Sequence, residues 1–496
     1  MILLGIDCGT QSTKTIAVDG ETGFVLASAQ RPHAFVPGLP SDAAEQEPRQ
    51  WVQALEASAS EVLAKLGDRR QEVAAIGVSG QQHGLVALDR EGNPVRPAKL
   101  WCDNSTLRQC EELTAALGGQ AGTVRSVGNS MRTGYTAPKI LWLKQNEPEN
   151  WKRTASVLLP HDYLNFFLTG KQAMEYGDAS GTALLDISAR EWSKPAVEAI
   201  GSEVWEKLPP LTSSRLPLGE LREELRIRWG LPRGVVVSAG GGDNMMAAIG
   251  TGNIRPGVVS ASLGTSGTLF AYSASPVIDP TGEIAGFCDS TDAWLPLVCT
   301  VNVTLVTEHV RGLFGWDHAR FEAEIARVPA GSDGLFFLPH LTGERTPDLP
   351  QATGALNGMT LQNLSPGHLA RAAVEGVTLG LGYGLNRLRA LGLQAAEIRL
   401  TGGASKSAAW RQICADIFGA EAVCLMTSEG AAMGAALQAG ATAAGNATWE
   451  AALSGLVAQG VHLDESTRCR PDASRQALYD DLARAFAERC SSPVLR

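Results

Sequence analysis

The chain has 496 residues, too many for one compact core, so two large domains are expected. Its 44% hydrophobic and 19% charged residues exclude a disordered or fibrous chain, and a formal charge of −10 with no run of lysine or arginine excludes a nucleic-acid backbone or an anionic membrane surface as partner. Nine scattered cysteines without a CxxC pair, no apolar stretch of bilayer-spanning length and an early Asp7 in "MILLGIDCGT" describe a cytoplasmic protein with reduced thiols.

The first thirty residues hold three apolar runs separated by a Gly/Thr/Ser turn and a "DGETG" turn, which predicts a three-stranded antiparallel meander. "WVQALEASASEVLAKLG" has apolar residues at helical spacing, and "EVAAIGVSGQQHGLVALD" reads as strand, glycine-rich bend and strand. Alternation of helix and strand from there on favours a layered α/β architecture. "GVVSASLGTSGTLFAY" repeats the opening theme, with Gly264-Thr265 lying 255 residues after Gly9-Thr10, close to half the chain. Two similar hairpins at that spacing predict a duplicated unit, two domains facing each other over a cleft, with the division placed between residues 244 and 245. Later, "LSPGHLARAAVEG" predicts a helix with Ser365 as N-cap and Pro366 at its first position. "EIRLTGGASKSAAW" then reads as strand, Gly-Gly turn and serine-capped helix with Trp410 in the core, and "EGAAMGAAL" as a small-residue helix suited to close packing at a domain junction.

Four glycine-containing turns carry the chemical signal: "DCGTQSTK", "GGGDN", "SLGTSGT" and "TGGASKS". Such turns present backbone N–H groups and hydroxyls without side-chain bulk, which is what phosphate oxygens require. The chain lacks a GxxxxGK[ST] loop and a strand-to-helix GxGxxG, so a P-loop nucleotidase and a dinucleotide dehydrogenase are both disfavoured.

"GIDCGTQSTK" and "SLGTSGT" resemble the two phosphate hairpins of the actin/hexokinase/heat-shock ATPase superfold, and "LTGGASKSAAW" resembles its adenosine turn. Within that superfold, "GYTAPKILWLKQN" and "GALNGMTLQNLSPGHLARAAVE" are similar to the two signatures of the FGGY carbohydrate kinases. "SGQQHG", "LWCD", "VLLPHDYL", "GDASGT", "GGGDN" and "FLPHLTGERTP" look most like the xylulokinase branch, and the resemblance spans residues 2 to about 445. It implies two actin-like, ribonuclease H-like (hexokinase-type) α/β domains across a catalytic cleft, and ATP-dependent phosphorylation of D-xylulose to D-xylulose 5-phosphate with Mg²⁺. The partner is then a small-molecule sugar, and a homodimer is among the assemblies this reading allows. Two departures touch the sugar pocket: Gln82 stands where the branch usually has methionine, and Asn104 and Ser105 follow Asp103 where an arginine often comes.

A sugar hydroxyl needs a base as its bond to phosphorus forms, and Asp243 is the candidate, although a helix-capping aspartate would explain "GGGDN" as well. Asn244 is expected to hold neighbouring hydroxyls. Asp7 is expected to orient Mg²⁺ and its waters, which needs a single carboxylate rather than a dedicated cage. Thr10, Gln11, Ser12, Gly264, Thr265 and Ser266 are expected near phosphate, with Lys14 adding charge if it faces inward. Gln82, His83, Trp101 and Asp103 are expected at the sugar, and Gly402, Gly403, Ala404 and Ser405 at the adenosine. Glu344 and Arg345 are either cleft residues or a buried ion pair. The alternatives are the same chemistry on ribulose, another ketose or a polyol, and a nucleotide-gated ATPase of the chaperone or filament type.

Overall fold

A computed structural model describes residues 1–427 and 429–491. The predicted meander forms as β1 (Ile2–Cys8), β2 (Ser12–Asp19) and β3 (Val25–Pro32), with Asp7 paired to Lys14 across the first turn. A crossover through α1 (Pro48–Leu66) places β4 (Val73–Gly80) parallel to β1. Trp51, Leu55, Val62 and Leu66 recur at helical spacing along α1, and that stripe is buried in the same core as Ile2, Leu4 and Ile6. After an insertion that carries α2 (Thr136–Asn146), the chain adds β5 (Pro217–Glu220), β6 (Val236–Ser238) and the two-residue β7 (Gly241–Gly242). The strand order is β5-β6-β4-β1-β2-β3, with β7 alongside β4. β1 is covered on both faces, and six of its seven residues are buried, as a central strand between layers must be.

The chain then enters α3 (Asp243–Gly250). The expected division at 244/245 falls within the first turn of this helix, and the second sheet begins at β8 (Gly257–Leu263). It continues with β9 (Gly267–Ala271), β10 (Leu297–Thr300), β11 (Ala395–Thr401), β12 (Glu421–Leu425) and β13 (Leu463–Cys469), in the order β10-β9-β8-β11-β12-β13. Strand for strand this repeats the first sheet: β8 answers β1, β11 answers β4, and both sheets close with an antiparallel outer strand. The duplicated unit inferred from two short hairpins is therefore a duplicated sheet.

Three helices complete the second half. α4 (Pro366–Ala390) starts as predicted, with Ser365 Oγ accepting the His368 N–H at 3.4 Å. α5 (Ala408–Phe418) starts at Ser407, whose Oγ accepts the Trp410 N–H at 3.0 Å. α6 (Gly430–Ala443) leaves its own sheet and packs on β1, β4 and α3 of the first half. Only small residues permit that approach. A Cβ on Gly77 would lie 2.0 Å from the Ala435 carbonyl oxygen, and one on Gly434 would lie 1.8 Å from that of Met246. Among the described residues no helix is long and apolar enough to cross a membrane.

The parallel strands β1, β4, β8 and β11 end where the chain turns at Gly9, Gln81, Gly264 and Gly402, and β7 lays the "GGGDN" turn beside the end of β4, so the four turns with chemical promise and the "SGQQHG" bend share the carboxyl ends of the two sheets. Overpacking at the α3/α6 crossing typically costs about 1–3 kcal/mol. Gly434→Ala is expected to lower the denaturant midpoint of the purified protein accordingly, and a midpoint equal to wild type would contradict this account of the junction.

Candidate active site

The run "AGGGDN" is explained by close approach. Gly240 has φ of 71° and a Cβ there would stand 2.4 Å from the Val78 carbonyl oxygen; on Gly241 it would meet Ser290 Oγ at 2.1 Å, and on Gly242 the Gln82 side chain at 2.8 Å. Gln438 of α6 fixes the turn from behind, accepting the Gly240 N–H at 3.0 Å and donating to the Gly240 carbonyl at 3.0 Å. Nothing in the sequence marks Gln438 for this task.

This turn delivers Asp243 as the first residue of α3. The N-cap is Gly242, with no side-chain cap bond, so the helix-capping role that the sequence allowed for Asp243 is not the one it plays. Its carboxylate accepts one bond, from Asn244 Nδ2 at 3.0 Å, and the same amide donates to Gln82 Oε1 at 2.7 Å. Burial, then the charges of Asp7 and Asp178, push the Asp243 carboxyl up to about 7. Asp7, in β1, accepts from Ser79 Oγ of β4 at 2.9 Å; burial raises it to about 6, against the Ser79 hydroxyl and the Lys14 charge, which lower it. Lys14 Nζ is committed to Glu429 at 2.6 Å, an ion pair between the two lobes, so the charge expected of it is part of that pair and not free. Among the described residues no protein donor reaches the second oxygen of Asp7, and no cluster of three or more metal-ligating side chains exists. One carboxylate oxygen left open to water suits a divalent cation that keeps most of its own hydration.

Asp243, Asn244, Gln82, His83 and Trp101 line one cavity of about 260 Å³, together with Ser262, Ser266 and Thr268 of the second hairpin. Ser262 is the counterpart of Asp7, each two residues before the turn glycine of its hairpin. His83 has φ of 61°, and its ring lies between Tyr135, at 5.1 Å edge-on, and Phe287, at 5.4 Å. Its Nδ1 is 3.3 Å from Asp178 Oδ1, and Asp178 Oδ2 is 3.1 Å from His161 Nδ1. Burial lowers the His83 pKa, so the ring enters the site neutral near pH 7. Trp101 is 37% exposed at the rim and donates from Nε1 to Thr10 Oγ1 at 2.9 Å, tying the first glycine turn to the cavity.

Asp103 is placed otherwise. It is fully buried outside the cavity, accepting from Lys99 Nζ at 3.1 Å, Ala44 N at 2.9 Å and Ser105 Oγ at 2.5 Å, so the expectation that it faces the sugar is replaced by a structural role. Asn104 likewise accepts from Thr133 Oγ1, at 2.8 Å. Sequence reasoning missed Tyr135, Phe287 and Asp178, which lie within motifs or loops that carry no spacing signal of their own.

A second cavity, about 790 Å³, is lined by Gly403 and Ala404 with Thr304, Phe321, Lys406 and Trp410. Gly402 and Ser405 shape it from behind: a Cβ on Gly402 would lie 2.6 Å from the Leu263 carbonyl oxygen, and Ser405 Oγ donates to the Gly402 carbonyl at 2.7 Å. Trp410 donates to Thr378 Oγ1 at 2.9 Å and is 3% exposed, a core residue whose edge borders the cavity. The second hairpin stands between the cavities, with Ser266 on the first, while the Gly264 carbonyl accepts the N–H of Thr304, on the second, at 3.0 Å. Gln11 and Thr265 project at the exposed tips of the two turns, and Ser12 Oγ accepts from Gln30 Nε2 at 2.5 Å.

Residues 2–250 match the N-terminal domain of the FGGY family of carbohydrate kinases, and residues 259–443 match its C-terminal domain. The chain belongs to this family. The FGGY kinase is 40% identical to the xylulose kinase of Haemophilus influenzae over 96% of this chain and 97% of that one, and 38% identical to the xylulose kinase of Streptomyces coelicolor over 94% of each. Its fold matches the solved xylulose kinase from Rhodospirillum rubrum with a TM-score of 0.91 at 27% identity, covering 99% of this chain and 98% of that one.

The raised Asp243 carboxyl makes a statement about stability. The unfolded chain ionises this group near 3.8 and the folded kinase near 7, so folding is progressively penalised as pH rises between those values and by a constant amount above. Asp243→Asn is therefore expected to raise the Tm of the ligand-free protein, with the gap to wild type widening from pH 4 to 7 and level beyond. A gap independent of pH would contradict the assigned environment.

Proposed function

We propose that this FGGY kinase transfers the terminal phosphoryl group of ATP to the C5 hydroxyl of D-xylulose, giving D-xylulose 5-phosphate and ADP, with Asp243 as general base. The observation that carries the reading is the Asp243 carboxyl on the wall of a sugar-sized cavity that Ser262, Ser266 and Thr268 of the second hairpin also line, where burial raises it to about 7. A base poised near neutral pH removes a hydroxyl proton most effectively there. The identity to xylulose kinases over nearly the whole chain supports D-xylulose as the acceptor.

Asn244 and Gln82, linked at 2.7 Å, present amide groups to the hydroxyls beside C5, while the neutral His83 ring and Trp101 border the sugar. As the alcohol oxygen attacks phosphorus and the bond to the ADP oxygen breaks, Asp243 accepts the alcohol proton and releases it to solvent after the product leaves. In this reading Gly264, Thr265 and Ser266 of the second turn and Thr10, Gln11 and Ser12 of the first receive the phosphates, and the larger cavity takes the adenosine against Gly403 and Ala404. Asp7 would hold Mg²⁺, largely through the ion's own water, and the ion would supply positive charge against the phosphates. Closure of the lobes along the Lys14–Glu429 contact excludes water from the transferred group. Nine cysteines, all free, fit the reducing cytoplasm, where ATP is at hand.

In a coupled ADP-release assay across D-xylulose, D-ribulose, xylitol, glycerol and D-gluconate, D-xylulose is expected to give the highest kcat/KM; a wide preference for glycerol or gluconate would remove this substrate assignment. Asp243→Ala is expected to lower kcat by at least ~10²-fold while ADP affinity by calorimetry stays near wild type. Near-normal turnover in that variant would refute the base.

A further inference from the structure

The motif "GERTP" contributes two charged residues whose roles differ. Glu344 is buried, and its carboxylate is filled by the protein: it accepts from Val301 N at 2.6 Å, Asn302 Nδ2 at 3.0 Å and the backbone N–H of Arg345 at 2.8 Å. These bonds fasten the loop, and Thr346 Oγ1 adds one to the Glu283 carbonyl at 3.3 Å. The ion pair between Glu344 and Arg345 that the sequence allowed does not form. Arg345 instead directs its guanidinium into the sugar cavity, where its one side-chain contact is Nη1 to Cys299 Sγ at 3.5 Å. Arg132, the other cation on this wall, is occupied by the Gly282 carbonyl at 3.1 Å and by Asp348 at 3.9 Å. Among the described residues, Arg345 is thus a cation of the cavity without a carboxylate partner, and desolvating a guanidinium is costly unless an acceptor arrives.

The geometry assigns Arg345 as the residue that reads the ketone of the substrate. This rests on the proposed sugar-kinase reading and narrows it. With C5 of a pentulose at Asp243, the C2 carbonyl lies a few bonds along the cavity, and a carbonyl oxygen accepts without donating. A guanidinium donates without accepting, so it matches that oxygen better than any amide or hydroxyl on the wall. Reduction of C2 to an alcohol replaces a pure acceptor with a group that must also place its own proton, which a guanidinium cannot accept.

The test is the ratio of kcat/KM for D-xylulose to that for xylitol, which has the same chain length and no carbonyl. Wild type is expected to favour D-xylulose, and Arg345→Met to reduce the ratio by at least ~10-fold, chiefly through KM for the ketose, the low end for losing a charged hydrogen bond. Arg345→Lys, which keeps the charge and loses the fork, is expected to show a smaller fall. ADP affinity by calorimetry reports whether each variant is folded. An unchanged ratio in either folded variant overturns the role of Arg345 and leaves the kinase reading standing. A wild type that prefers xylitol or gluconate to D-xylulose overturns both, before any variant is made.

Discussion

Two carboxylates share one poorly solvated crevice, and most of the fold serves to keep them there. Asp7 ends a central strand of the first sheet and Asp243 begins the helix that leaves it, so their separation is set by β1, β4 and β7 and not by a flexible loop. Confining two acids in this way works against folding, because each charge disfavours the other and neither has an ion-pair partner of its own in direct contact. The protein moderates the conflict with a hydroxyl from Ser79, an amide from Asn244 and the nearby Lys14–Glu429 pair. What survives is a difference in environment: Asp7 near 6 beside a cation and a hydroxyl, Asp243 near 7 with a single amide. One group is suited to a metal and the other to a proton.

Holding that crevice rigid requires the halves of the chain to interlock. α6 belongs by sequence to the second half but buries its small residues on β1 and β4, and through Gln438 it grips the peptide of Gly240, three residues before Asp243. The helix that links the lobes therefore also fixes the turn that leads into Asp243.

Much of this was legible in the sequence because the signals were local and periodic. Alternating apolar runs around small-residue turns gave both hairpins, serine before proline or alanine gave the starts of α4 and α5, and three glycines before Asp243 gave the crowded turn. Features formed by residues distant in the chain were hidden. Asp103 resembles a pocket residue because it follows Trp101, yet Lys99, four residues earlier at the end of a short strand, takes its carboxylate inward. Asp178 supports His83 from 95 residues away, and only the bonds that fill Glu344 distinguish Arg345 from the partner of an ion pair with its neighbour. Lys14 was ambiguous for the same reason, its partner Glu429 lying at the far end of the chain.

The central claim is that Asp243 is a carboxyl held protonated to near neutrality by burial and by the charge of Asp7. A ¹³C titration of the Asp243 carboxyl carbon in the ligand-free protein, followed in wild type and in Asp7→Asn, tests this directly. The account predicts a midpoint of about 7 that moves to lower pH when the Asp7 charge is removed. A midpoint near the ordinary 3.8, unaffected by that substitution, would contradict it.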